Sequence, residues 1–260
     1  MGAALLLRKV AKAAVLPAGV ATRRRSGDVV ILLYHRVGAG EREIDLPLVL
    51  FQRHLAYLAG RDRVVSLDEA LAEGDGVVLT FDDGYRDFHD HVLPLLVRHQ
   101  LPAVLYLSTG LVDGEGGRGD GEALSWSQLR EVVATGLVTV GSHTHTHADL
   151  SRAGERKAEE EMRRSKELIE DRLGVACRHF AYPGAVGSPA ADRAARRLFA
   201  SAAWDAWRTN RRGRIEPFRL GRTPVLHSDG MVFFRAKARG MLDAEALAYR
   251  ALRRGPWRAS

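Results

Sequence analysis

Seven short strand-like runs recur along the chain, and most of the stretches between them have helical spacing. They fall at 29–34, 77–81, 103–108, 137–142, 178–182, 199–204 and, more briefly, 224–226. Unbroken apolar runs of this length suit strands buried on both faces, which is how parallel sheets are built. Between them, Leu48, Phe51, Leu55 and Leu58 recur at helical spacing behind Pro47, and Ser66-Leu67-Asp68-Glu69 reads as a capping box for a helix ending near Gly74. Phe88, Val92, Leu95 and Leu96 form an apolar stripe with a kink expected at Pro94. Helices are also expected over 125–135, 151–173, 189–198 and 231–249. In 151–173, Ala158, Met162, Leu168, Ile169 and Leu173 share one side, and the charges read as a solvated face with Glu159/Arg163 and Glu160/Arg164 pairs. Such alternation predicts an α/β fold with a parallel sheet, open or closed, and functional groups at the C-terminal ends of its strands.

At 260 residues and 46% hydrophobic content, the chain can bury one substantial core. Cys177 is the only cysteine, so no internal disulfide forms. The net charge of +7 and pI near 9.9 favour acidic surroundings. Arginines are dispersed and no nucleic-acid module is legible, so an anionic membrane surface or glycan is the expected partner and nucleic acid is not. Residues 1–27 stand apart as a basic segment, in which Arg8, Lys9 and Lys12 interrupt the apolar stretch a signal peptide would need. A cationic helix on a membrane surface, or a basic tail, is expected there, and no run is long enough to span a bilayer. Location is therefore expected to be cytoplasmic or peripheral to a membrane.

Chemistry concentrates at the ends of two of the runs. Residues 77–81 lead into Asp82-Asp83-Gly84, where two neighbouring carboxylates repel unless a cation neutralises one of them. Residues 137–142 end in His143-Thr144-His145-Thr146-His147, which contains the H-x3-H spacing of zinc sites. One aspartate and two histidines make a three-ligand site with a position open, and the other aspartate is left to act as a base. Asp-Asp-Gly is also a turn sequence, and the histidines suit a solvated loop. What favours a site is that both clusters follow strand-like runs, as they do at the functional end of α/β sheets and barrels.

From about Tyr34 to Asp229 the chain resembles the polysaccharide deacetylases with the NodB homology domain, carbohydrate esterase family four. Leu79-Thr80-Phe81-Asp82-Asp83-Gly84-Tyr85 looks like that family's first motif, and Gly141-Ser142-His143-Thr144-His145-Thr146-His147 like its second. The resemblance implies a distorted (β/α) barrel, here of about seven parallel strands, spanning 28–230 as a catalytic domain with 231–260 as a helical basic tail packed on or trailing it. It assigns Asp82 as general base and Asp83, His143 and His147 as ligands of a divalent metal, Zn2+ first and Co2+, Ni2+ or Fe2+ also compatible. His145 is left facing solvent or supporting the ligands. A backbone N–H near Tyr85 would stabilise the oxyanion, and His227, in Val225-Leu226-His227, would be the general acid. Phe180-Ala181-Tyr182-Pro183-Gly184 resembles the third motif, but Ala181 stands where the family's arginine orients the base; Arg178 or Arg222 would have to reach it from elsewhere. Tyr182, Pro183 and Trp204 are candidates for the substrate pocket, with core packing the other reading of Trp204. The implied reaction is removal of the N-acetyl group from an amino sugar of a glycan, releasing acetate. Hydrolysis of a non-carbohydrate amide and an inactive glycan-binding module are the alternatives, and acetate release from an N-acetylglucosamine oligomer separates them.

Overall fold

The protein is described by a computed structural model covering residues 28–61, 63–114, 121–204 and 209–241. Its strands are β1 (Val29–Tyr34), β2 (Arg36–Val37), β3 (Asp45–Leu46), β4 (Gly76–Asp83), β5 (Ala103–Leu107), β6 (Val138–Ser142), β7 (His179–Ala181), β8 (Ser201–Trp204), β9 (Leu220–Gly221) and β10 (Thr223–Pro224). The helices are α1 (Leu48–Arg61), α2 (Leu67–Glu73), α3 (Leu93–His99), α4 (Trp126–Ala134), α5 (Glu155–Leu173), α6 (Pro189–Leu198) and α7 (Met231–Ala238).

Eight strands form one parallel sheet in the order β10-β1-β4-β5-β6-β7-β8-β9, while β2 and β3 pair separately. Since β9 and β10 flank the single residue Arg222, one segment lies at both edges and closes the sheet into a distorted barrel. Counted as one, they give the seven strands expected, although the last was expected at 224–226. A two-residue piece on each side of an arginine has no apolar run to mark it.

Side chains alternate across each strand, so the sheet separates two cores. Val29, Ile31, Val78, Val104, Tyr106 and Ala203 pack inside the barrel, and Val30, Leu32, Leu79, Phe81, Leu105 and Phe180 pack outward under the helices. Gly141 makes room for the inner Tyr106: a Cβ there would lie 2.8 Å from the tyrosine ring. At the N-terminal end of the strands, Leu67 and Ala70 of α2 join the inner cluster and plug the barrel floor. That helix is capped as the sequence predicts, by a Ser66/Glu69 box and a left-handed Gly74.

Three boundaries differ from the sequence reading. Pro94 lies in the first turn of α3, and the strain of its missing N–H is taken up just upstream by a π-helical turn, Phe88–Val92. α5 begins at Glu155, behind Gly154, and not at 151. α7 ends at Ala238 and belongs to the body of the protein: Phe234 is fully buried and stacks on His54 of α1 at 3.5 Å. Residues 242–260, and the whole of 1–27, lie outside the described residues.

Candidate metal centre and active site

Alternation along β4 points Val78, Thr80 and Asp82 inward and would point Asp83 out beside Phe81. The backbone prevents this. Asp83 has φ 76° and Gly84 φ 90°, a left-handed turn that brings the second carboxylate back over the barrel mouth. Gly84 is needed there, because a Cβ would run into Leu107. Both carboxylates are buried, at 2% and 4% exposure.

The histidine loop after β6 is bent in the same way, with Thr144 at φ 66° and His147 at φ 56°. This curl brings His147 Nε2 to 3.2 Å and His143 Nε2 to 3.6 Å from Asp83 Oδ1, their rings 5.0 Å apart. The loop is braced by Glu161 of α5, which is 3% exposed and accepts from Thr146 N and Oγ1 at 2.9 and 3.0 Å. Glu161 therefore leaves the solvated face on which its helix pattern placed it. His145 does not face solvent; it is buried, with Nδ1 2.9 Å from Thr109 Oγ1, and ties the loop to the turn after β5.

Asp82 is held by Arg222, whose Nη1 and Nη2 donate to its two oxygens at 2.6 and 2.8 Å. Burial alone would raise the Asp82 carboxyl, but Arg222 and then His143 hold it below its ordinary value. Arg222 is thus the arginine missing from 178–184; it arrives from the closing segment instead of β7. Arg178 points away, to Asp68 of the floor helix at 3.4 Å. The Ala181 position serves through its backbone, accepting from His143 Nδ1 at 2.8 Å. That bond places the His143 proton on Nδ1 and aims the Nε2 lone pair at the carboxylates. Burial pushes the His143 imidazole down to about 4, which keeps it neutral.

Other candidates divide. His35 follows β1 on its inward parity and is close enough for its charge to lower both Asp82 and Asp83. The parity of β1 is the sequence signal that could have found it. His227 is half-buried at the rim, with Nδ1 2.7 Å from Asp45 O. Tyr85 lies just beyond the aspartate turn, bridged to Ala123 and covered by Arg36 at 5.0 Å. Tyr182 points into the outer core, fully buried, with Trp204 tilted on it at 4.5 Å; Pro183 is buried beside it. Both Tyr182 and Trp204 are engaged in packing contacts there.

The donor set suits a divalent cation. Asp83, His143 and His147 offer ligand atoms all within 4.8 Å of one another. Asp83 Oδ1 is buried with no aligned hydrogen bond, a costly state for a carboxylate oxygen unless a cation satisfies it. Burial opposes its ionisation, yet the imidazoles of His147, His35 and His143 hold Asp83 well below the usual carboxylate range. One carboxylate with two imidazoles is a donor set that suits zinc, and also cobalt, nickel and iron.

The family model for polysaccharide deacetylases matches residues 72–202, just over half of the chain. IcaB from Ammonifex degensii is 28% identical, superimposes with a TM-score of 0.71, and the match covers 85% of this chain and 99% of that one. BC0361, a polysaccharide deacetylase from Bacillus cereus, is 23% identical with a TM-score of 0.72, over 81% of this chain and 69% of that one, a likeness of fold. Among curated proteins, YxkH of Bacillus subtilis, assigned to the polysaccharide deacetylases, is 24% identical over 163 residues, 59% of this chain and 55% of YxkH. A poly-β-1,6-N-acetyl-D-glucosamine N-deacetylase of Escherichia coli is 40% identical over 77 residues, 26% of this chain and 12% of that protein. The chain thus spans about half the length of the first of these curated relatives and a small part of the second. With the matched segment carrying β4 to β7, the start of β8 and every residue of the Asp-Asp and His-x3-His clusters, the chain belongs to the polysaccharide deacetylase family.

Proposed function

We propose that the protein is a metal-dependent deacetylase that hydrolyses the N-acetyl group of an amino sugar in a glycan or glycan precursor. The observation that carries this reading is the pairing of a buried Asp83/His143/His147 donor set with an adjacent carboxylate, Asp82, kept ionised by Arg222. A divalent cation, when bound by those three residues, supplies Lewis-acid polarisation of the acetamide carbonyl and makes water a better nucleophile.

The chain supplies the proton traffic and the orientation. Asp82 accepts the proton of the attacking water, and Arg222 fixes the plane of its carboxylate. A backbone N–H near Tyr85 faces the developing oxyanion. The departing amine needs a proton, and the two candidate imidazoles are His35, which follows β1 on its inward parity, and His227 at the rim. The products are acetate and a free amino sugar. The E. coli relative's name supports an N-acetylglucosamine polymer as substrate class.

The test is acetate release from an N-acetylglucosamine oligomer by chelator-treated protein, with and without added Zn2+. Metal-dependent release of stoichiometric acetate and free amine supports the reading; no release under either condition rejects it.

A further inference from the structure

The residue that orients the base sits in a short ladder. β1 and β4 share six paired positions, whereas the closing segment pairs only Leu220 and Gly221 with β8, and only Thr223 and Pro224 with β1. Pro224 contributes no N–H. Yet Arg222, between the two pieces, makes two buried hydrogen bonds to Asp82 at 2.6 and 2.8 Å, a geometry that tolerates little drift.

Two side chains make up the deficit, one on each flank. Asn210, 5% exposed, grips Gly221 from both sides: its Oδ1 accepts from Gly221 N at 2.8 Å and its Nδ2 donates to Gly221 O at 2.9 Å. The same Nδ2 lies 3.3 Å from Val29 O, and the Asn210 backbone exchanges bonds with Val29. The amide therefore acts as a neighbouring strand would. On the other flank, Lys237 of α7 is fully buried and donates to Pro224 O at 2.7 Å and to Asp229 Oδ2 at 2.6 Å. Asp229 Oδ2 in turn accepts from Leu226 N at 2.8 Å, closing the turn after β10. A fully buried ion pair contributes little net stability against an apolar alternative, so geometry is the better account of its presence.

We propose that Asn210 and Lys237 are positioning residues that act on the reaction through Arg222, holding its guanidinium in register with Asp82. Both lie outside the residues matched by the family model. The kinetic part of this inference rests on the deacetylase reading; the geometric part does not.

The test is a double-mutant cycle. Asn210→Ala should lower kcat on an N-acetylglucosamine oligomer about 10- to 100-fold with KM unchanged, the scale of a misplaced reacting group. In an Arg222→Gln background, the same substitution should cost nothing further in kcat. Lys237→Met combined with Asp229→Asn, which strands no charge, should behave alike. The second readout needs no turnover: 15N spectra of the Arg222 guanidinium should show separate Nη signals in the native chain and collapsed ones in Asn210→Ala. If that variant does not fold, Asn210→Asp, which keeps the acceptor for Gly221 N, takes its place with an intermediate effect. Unchanged kcat and unchanged Nη signals in a variant of lowered Tm would overturn the proposal, as would equal kcat losses in both backgrounds. An inactive native chain would reject the deacetylase reading, and the Nη signals would still decide this one.

Discussion

Arg222 reaches Asp82 across 140 positions of sequence and takes both carboxylate oxygens, although it sits in a segment with only two ladder pairs on each side. The relation is between the base and the seam of the barrel. Replacing Arg222 by Gln should lower kcat by ~10²-fold or more, while metal content stays at the native level because no ligand is touched. Arg222→Lys should rescue little, since an ammonium cannot match two oxygens in one plane.

The same contact sets a stability prediction with a definite sign. The folded Asp82 carboxyl is held below its unfolded value, so its contribution is present above about pH 4 and is lost as pH falls through the folded value. Without Arg222, burial prevails and the folded value rises. Arg222→Gln should therefore unfold at higher pH on acid titration, and lose ~3–5 kcal/mol near neutrality as a broken buried pair does. A far-UV CD acid titration that matches the native curve would contradict this.

His143→Ala and His147→Ala should each abolish retention of metal through gel filtration, measured by elemental analysis. Asp82→Asn should keep the metal and lose ~10²–10⁴-fold in turnover, as loss of a general base does. Asp83→Asn should behave like the histidine variants, because it removes the negative charge that both imidazoles face. Metal loss from Asp82→Asn equal to that from Asp83→Asn would reverse or merge the two roles.

The two candidate proton donors separate cleanly. His35→Ala should cost ~10²–10⁴-fold in kcat, and His227→Ala much less, because His35 leaves β1 on the parity that points into the barrel mouth while His227 sits at the rim with Nδ1 held by Asp45 O. The opposite order in a kcat comparison on one substrate would return the role to His227.

Much of this was legible in the residues. Strands whose inner and outer positions are both apolar announce themselves, so β1, β4, β5 and β6 fall within a few residues of their runs. Asp82-Asp83 and His143-x3-His147 are local, and proximity in sequence becomes proximity in space once a strand delivers each pair to the same end of the barrel. What was not legible depends on distance or on backbone sign. The Arg222–Asp82 contact needs the closure of the sheet, and Glu161 turns inward only because the bent histidine loop offers it an N–H and a hydroxyl. The left-handed Asp83, without which its side chain would point away from the site, has no residue signature beyond the glycine that follows it.

A last prediction concerns residues 1–27. Six of the 39 basic residues, Arg8, Lys9, Lys12, Arg23, Arg24 and Arg25, and none of the 32 acidic ones, fall before Asp28, so the remainder of the chain is nearly neutral at about +1. The basic character is thus concentrated away from every residue assigned to catalysis. No helix among the described residues is long and apolar enough to cross a membrane. Each basic residue near an anionic surface contributes ~1 kcal/mol, fading over a Debye length of ~10 Å at 0.1 M salt. Full-length protein should therefore sediment with anionic vesicles at low salt and leave them as salt rises, and should bind neutral vesicles poorly. A chain beginning at Asp28 should stay in solution and still release acetate from a soluble oligomer. Full-length protein that ignores anionic vesicles at low salt would remove the membrane proposal, while leaving the chemistry of Asp82, Asp83, His143 and His147 untouched.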